Sequence, residues 1–497
     1  MNKIKTLLIW VYGFICCIIF VAGYFYACSQ VMYQNYSVHQ FIFHIATLST
    51  DNFSKKVIGT ILVPFSLSVV FVLLVFKKPL LWLRYYVNET YIAYWSQRKR
   101  LLSFITSTIT AVAGVLIAVG ISDVPGRQMV EETKYALSLL YNPPPYDSIT
   151  DDYFANPAEI EFKQKQPQNL IIIFAESLER TFFDEKLLGQ NLLPNLQEQA
   201  GVSVFGYKKL SEVDWTEASI IASLCGVTSK QYLPQRKLSK DFICISDVLN
   251  RFGYNVYSLR GSSLRFAAGE KFLSEHGFTE NVGIEDIEKS FSYQLAPTKL
   301  YSDKLYDVNF IGDVLDDRDL LKIFKKKIEQ LAQENKPFMA IATTMNTHPF
   351  HGYVSRNCQK KYKDMRDAII CSDRQLASFV KWFKAQNFAE NTTLVIMGDH
   401  LMMYNDIQAY LDKASRRETL SLIWGSAAPE NDIHKPFSQF DWAPTFLEMA
   451  GVYWEGHKFA LGTSLLSEEK TLQEQFGDDL NLRLLHSSKI YETLVFK

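Results

Sequence analysis

The sequence carries almost no net charge: 52 lysines and arginines face 53 aspartates and glutamates, leaving −1 at pH 7. Without a basic excess, nothing in the balance argues for a nucleic-acid partner. Internal repeats and low-complexity tracts are also missing, so the chain does not read as a repeat array. At 497 residues it is too long for one compact domain and long enough for two or three. The most telling absence is local. Residues 6–27, 57–76 and 104–122 hold no charged side chain. Each has about the 20 residues needed to cross a hydrocarbon core of about 30 Å. A core helix of that length keeps a polar face, and none of the three has one. They are read as three transmembrane helices of an anchor spanning 1–125.

Basic residues orient this anchor. The segment 77–103 holds Lys77, Lys78, Arg84, Arg98, Lys99 and Arg100, whereas 28–56 holds only Lys55 and Lys56. Lys3 and Lys5 precede the first span. The positive-inside rule then puts the N-terminus and 77–103 in the cytoplasm and exports everything after about residue 123. The first apolar run is too long for a cleaved signal peptide, and two further spans follow it. Cys28 follows Phe25-Tyr26-Ala27, a poor lipoprotein signal.

Cysteine usage agrees with export. Cys16, Cys17 and Cys28 belong to the first span and its outer end, which leaves Cys225, Cys244, Cys358 and Cys371 in the exported part. An even number in an oxidising compartment suggests two disulfides. Three connectivities are possible, and Cys225–Cys244 with Cys358–Cys371 is preferred because both loops are short.

Residues 126–168 read as a linker. Within it 127–142 has apolar residues at near-helical spacing, suited to a linker helix or to one lying on the membrane surface, and the triple proline at 143–145 stops it. From 169 to 465 the pattern alternates. Short apolar runs at 170–175, 255–259, 337–344, 392–398 and 420–425 suit buried strands, with helical patterns at 217–225, 241–252, 318–334, 365–385 and 441–450. This predicts an α/β domain whose largely parallel sheet is covered by helices on both faces. The charged tail 466–497 reads as helical and carries no functional signal.

In such sheets chemistry collects at the carboxyl ends of strands. The first strand there ends in Glu176 and a later one in Asp399-His400, a plausible set for a divalent metal ion. Thr216 heads the helix that follows, at the position of an N-cap. A threonine hydroxyl is a poor nucleophile until a bound metal lowers its pKa, and a helix N-terminus suits a phosphate. Arg260, after a strand, offers a planar fork of donors for phosphate oxygens. His348, after another, can donate a proton to a leaving oxygen or hold the donor. Trp215 beside the nucleophile is a candidate contact for the transferred group.

The order FAES, WTEASIIASLCG, SLRGSSLRFAAGEKFLSEHGF, TTMNTHPFHGY, MGDH resembles the alkaline phosphatase and sulfatase superfamily over about 169–465. More narrowly it resembles the membrane phosphoglycerol transferases, among them lipoteichoic acid synthase and the enzyme that decorates osmoregulated periplasmic glucans. The resemblance implies Thr216 as nucleophile and Glu176, Thr216, Asp399 and His400 as ligands of one divalent ion, manganese before magnesium or zinc. It implies Arg260 and His348 as contacts of the phosphoglycerol head, and the same two short-range disulfides. Donor, acceptor and compartment follow from it: phosphatidylglycerol, a glycan such as periplasmic glucan, and a multi-pass protein of the bacterial inner membrane whose catalytic domain faces the periplasm. Three spans depart from the five usual in lipoteichoic acid synthases. Phosphoethanolamine transferases share the threonine, but the Ser-Leu-Cys-Gly that follows it here differs from theirs. A sulfatase or phosphatase is a third reading, opposed by threonine where sulfatases carry a modified cysteine or serine.

The charge asymmetry makes a testable topology. A reporter fused after residue 130 is expected to be exported and one fused near residue 90 to stay cytoplasmic; the reverse pattern refutes the three-span anchor.

Overall fold

Residues 170–175, Leu-Ile-Ile-Ile-Phe-Ala, form the middle of the sheet because they can be buried on both sides. The computed structural model describes residues 146–228, 238–264, 269–284, 286–287, 315–349, 351–403 and 405–495. Its strands are β1 (Lys163–Gln164), β2 (Asn169–Ala175), β3 (Val202–Tyr207), β4 (Asn255–Arg260), β5 (Glu280–Val282), β6 (Phe338–Thr343), β7 (Thr392–Gly398), β8 (Ser421–Gly425), β9 (Ile433–Phe437), β10 (Val452–Tyr453), β11 (Lys458–Phe459) and β12 (Gly462–Thr463). Eight of them make one sheet in the order β5-β4-β6-β2-β7-β8-β3-β9, and β1 pairs with β10.

Side chains alternate across a strand. In β2, Leu170, Ile172 and Phe174 enter one core together with helices α1 (Thr216–Cys225), α2 (Ile245–Arg251) and α5 (Trp442–Met449). Ile171, Ile173 and Ala175 enter the other with α3 (Asp317–Gln333) and α4 (Met365–Lys384). Each fully buried isoleucine contributes about 1.5–3 kcal/mol, so a charged substitution at Ile172 would disrupt the strand that carries Glu176. Residues flanking the alternating region join the first core, including Ile149 on one side and Leu480, Leu484, Tyr491 and Val495 on the other. Arg483 donates to both oxygens of Asp147, binding the two flanks together.

The predicted parallel sheet holds for β5-β4-β6-β2-β7. It fails at β8, which runs antiparallel to β7 and to β3, so the sheet is mixed. Three strands of the eight-stranded sheet went unread in the sequence. β5 has only three residues, and β3 and β9 form one edge and stay partly exposed, β9 containing Pro436. The three apolar stretches 6–27, 57–76 and 104–122 lie outside the described residues. Among the described residues no helix is long and apolar enough to cross a membrane.

Both preferred cysteine pairs are bonded. Cys225 ends α1 and Cys244 is the N-cap residue of α2, so one bridge joins the far end of α1 to the next helix. Gly226 closes α1 with φ 70°, and a side chain there would meet the Phe459 carbonyl at 2.7 Å. The bridges span 19 and 13 residues, for which the chain-entropy model gives about 3 kcal/mol each. Replacing Cys225 and Cys244 by alanine should lower unfolding free energy by about that amount. Chemical denaturation checks this, and unreduced peptide mapping that recovers both thiols free would remove its basis.

Candidate functional site

Glu176 is the first residue beyond β2, and the chain turns sharply at Ser177, whose φ of 54° puts a non-glycine residue in the left-handed region. The turn brings the Ser177 N–H to 2.8 Å from Asp399 Oδ1 and the Ser177 hydroxyl to 2.7 Å from Glu176 Oε1. Such a conformation costs about 1–3 kcal/mol and persists only where its surroundings hold it. Gly398 ends β7 against this turn; a Cβ there would stand 2.0 Å from the Leu178 carbonyl oxygen. The glycine of the Met-Gly-Asp-His segment is therefore needed for close approach, and it delivers Asp399 and His400 beside Glu176.

Thr216 is not the N-cap that its position in the sequence suggests. Trp215, extended and buried, is the N-cap residue, and no side chain caps α1. The hydroxyl of Thr216, at the first helical position, points instead to the strand ends. Its Oγ1 lies 3.3 Å from Glu176 Oε2 and 3.3 Å from His400 Nε2. His400 Nε2 is 3.6 Å from Glu176 Oε1 and 3.4 Å from Asp399 Oδ2.

The residues fit one divalent cation. Glu176, Asp399 and His400 are fully buried, with one ligand atom from each within 4.8 Å of the others. His400 Nδ1 faces the Leu401 carbonyl at 2.9 Å, so in the neutral ring Nδ1 carries the proton and Nε2 has its lone pair for a cation. Asp399 Oδ2 has no hydrogen-bond partner among the described residues, which is costly for a buried carboxylate. Burial, then the neighbouring Glu176 charge, pushes the Asp399 pKa up to about 6. Burial works against a charge on His400, but Asp399 and Glu176 outweigh it and raise its pKa. A cation relieves both carboxylates at once. Two oxygens and an imidazole suit manganese, magnesium or zinc alike. A second grouping, Cys244, Asp247 and His276, offers no thiolate because Cys244 is bonded to Cys225.

Sequence reading missed the residues that hold this cluster in place. Ser219, one turn along α1 from Thr216, donates its hydroxyl to the Asp399 carbonyl at 2.5 Å. Gln439 donates its amide to the same carbonyl and to Ser219 Oγ, the latter at 2.6 Å. The three-residue spacing from Thr216 was a usable signal for Ser219; Gln439, 220 residues further on, offered none.

The other sequence candidates lie nearby but are engaged differently. Arg260, the last residue of β4, donates from Nη2 to Glu217 Oε2 at 2.7 Å in a buried ion pair. The half-buried His348 has Nδ1 2.8 Å from the Pro349 carbonyl. Its loop is fixed to the site, since Thr344 Oγ1 accepts from the Glu176 N–H at 2.9 Å and Thr347 donates to the Glu176 carbonyl. Trp215 flanks Thr216 with its ring buried.

The chain belongs to the sulfatase family, whose profile matches residues 168–452, more than half of its length. The fold is accordingly of the alkaline phosphatase type. It is 30% identical over 332 residues to phosphoglycerol transferase I of Citrobacter koseri, covering 62% of this chain and 40% of that protein. It is 29% identical over 322 residues to phosphoglycerol transferase I of Escherichia coli O6:K15:H31, covering 60% and 39%. The chain thus spans about 40% of the length of these curated relatives. A solved neighbour is the lipoteichoic acid synthase LtaP from Listeria monocytogenes, 17% identical with a TM-score of 0.47 over 67% of this chain and 81% of that one.

The charge crowding predicts a pH signature for metal-free protein. Asp399 binds its proton more tightly folded than unfolded, so between about pH 4 and 6 the folded state holds more protons and loses stability as pH rises. Thermal denaturation in chelator should show this decline, and added manganese should abolish it. A metal-insensitive profile would contradict the cation site.

Proposed function

We propose that this protein moves a phosphoglycerol group from phosphatidylglycerol to a hydroxyl of a glycan, a periplasmic glucan, with Thr216 as the covalent carrier. The names of its relatives support the transferred group. The observation that carries the mechanism is the Thr216 hydroxyl, free of any capping role and equidistant from Glu176 and His400. Glu176, Asp399, His400 and Thr216 would hold one divalent ion, manganese in this reading. When bound, it supplies positive charge that acidifies a coordinated hydroxyl and stabilises negative phosphoryl oxygens.

Thr216 Oγ1 gives up its proton to solvent and attacks phosphorus. The new Oγ1–P bond forms as the bond from phosphorus to the diacylglycerol oxygen breaks, and His348 donates the proton that diacylglycerol takes away. Arg260 binds the phosphoryl oxygens with the N–H groups not used on Glu217. In the second step the glycan hydroxyl gives its proton to His348 and attacks phosphorus, the Oγ1–P bond breaks, and Thr216 regains a proton from solvent. A lipid donor must be met at a bilayer, which fits the three-span inner-membrane anchor and a periplasmic catalytic domain.

Thr216→Ala should abolish transfer and leave a folded protein, whereas loss of a mere cap would cost about 1 kcal/mol and spare activity. Thr216→Ser should retain a fraction of the rate. Glu176→Ala, Asp399→Ala and His400→Ala should lose activity to a similar extent because the groups act as a unit. Mass spectrometry after exposure to phosphatidylglycerol should find a phosphoglyceryl adduct on the Thr216 peptide. Wild-type transfer by Thr216→Ala would sink this mechanism.

A further inference from the structure

The residue directly after Thr216 is a buried carboxylate that the transfer steps do not use. Glu217 Oε2 accepts from Arg260 Nη2 at 2.7 Å, with the side chains only 3% and 4% exposed. Arg260 stands level with Phe174 through Thr343 in the neighbouring parallel strands, two residues before Glu176, so the pair sits at the same carboxyl edge as the site. A buried ion pair is tolerable when its remaining atoms are also satisfied. This one is half satisfied: Glu217 Oε1 and Arg260 Nε have no hydrogen-bond partner among the described residues. An acceptor and a donor are thus left open within one ion pair, formed by the residue that follows Thr216 in the chain.

A glycine packs closely against this pair. Gly269 faces it, and a Cβ there would lie 2.7 Å from Arg260 Nη1 and 3.2 Å from Glu217 Oε1. Gly269 is not among the residues with left-handed backbone, so its missing side chain serves close approach of the ion pair rather than conformational freedom.

We propose that Glu217 is a specificity residue. Its Oε2 holds Arg260, and its Oε1 accepts a hydrogen bond from a hydroxyl of the head group whose phosphoryl oxygens Arg260 binds. The inference rests on the reading of Thr216 as the phosphoryl carrier. The ligand class is a phosphoryl group carrying a neutral hydroxyl donor. A bare or methylated phosphate satisfies only the arginine, leaving Oε1 unpaired, and a site built around a substrate hydroxyl discriminates against its absence. An ammonium would satisfy Oε1 but stand beside the Arg260 guanidinium, where like charges repel. The pair therefore favours phosphoglycerol over phosphoethanolamine.

The test uses the full chain in detergent with manganese present. Calorimetry compares sn-glycerol 1-phosphate, methyl phosphate and phosphoethanolamine as soluble ligands. Intact-mass analysis of the Thr216 adduct compares vesicles of phosphatidylglycerol and phosphatidylmethanol as lipid donors. Wild-type protein should bind glycerol phosphate at least about tenfold tighter than the other two. Glu217→Ala should shrink that preference to within about twofold. Gly269→Ala should do the same, because its Cβ would crowd Arg260 Nη1 and Glu217 Oε1 and shift the pair, and it carries the test if Glu217→Ala does not fold. A preference that persists in the folded variants, or that wild type lacks, overturns the inference. The two readings fail separately. Adducts that form while the variants keep the preference count against Glu217 alone. A Glu217-dependent preference without any adduct counts against the covalent step alone.

Discussion

The site depends on how Asp399 is held. Its Oδ1 accepts the backbone N–H of Ser177 at 2.8 Å and of His400 at 2.9 Å. Its carbonyl accepts the Ser219 hydroxyl and the Gln439 amide. One buried residue thus joins the turn after β2, the end of β7, the helix bearing Thr216 and the segment before α5. Every polar atom of its side chain and carbonyl is directed except Oδ2, which faces His400. Fixing a carboxylate with two charge-assisted backbone bonds makes it rigid. Leaving its second oxygen open, in a buried place beside another carboxylate, makes the arrangement unfavourable until a cation arrives. Rigidity and electrostatic need are built by the same contacts.

The supporting fold explains why those contacts can be so close. β2 and β7 are parallel neighbours in register from Asn169↔Thr392 to Ala175↔Gly398, so Glu176 and Asp399 leave the sheet side by side. The tight turn at Ser177 and the missing side chain at Gly398 let them face each other. Local backbone strain here is outweighed by two cores that share β2, one on each face. Stability is drawn from the sheet and used at its edge, the usual relation between scaffold and site.

Much of this was legible because burial on both faces leaves a continuous apolar run, and runs at 170–175 and 392–398 fall at the strands that lead into Glu176, Asp399 and His400. The chemistry then lay in the next residue or two. What stayed hidden had a different physical origin. The direction of β8 depends on how its connection returns to the sheet, and nothing in Ser-Leu-Ile-Trp-Gly records it. β3 and β9 escape because an exposed edge does not require apolar residues. The cap of α1 was misplaced by one residue, since a threonine at a helix start has the same composition whether its hydroxyl serves the helix or the site. Ser219 and Gln439 converge on one carbonyl across 220 residues of chain, which no local pattern can encode. Arg260 was legible as a cation at a strand end, but its partner Glu217 was not.

Exposure orders the chemistry further. Glu176, Asp399 and His400 have no accessible surface, whereas Thr216 is partly exposed and Trp215 and Glu217 on either side of it are buried. The hydroxyl is therefore the face that the cluster presents outward, with the charged groups behind it and apolar or paired side chains flanking it. For the proposed transfer, this means that the phosphorus of a donor meets Oγ1 before any of the other three proposed ligands of the cation. Water arriving from the same side would compete for a phosphorylated Thr216. A transferase differs from a hydrolase at this point only by how well the acceptor hydroxyl outcompetes water. The part of the molecule that decides between them lies where the second substrate approaches, beyond the four residues that would hold the cation.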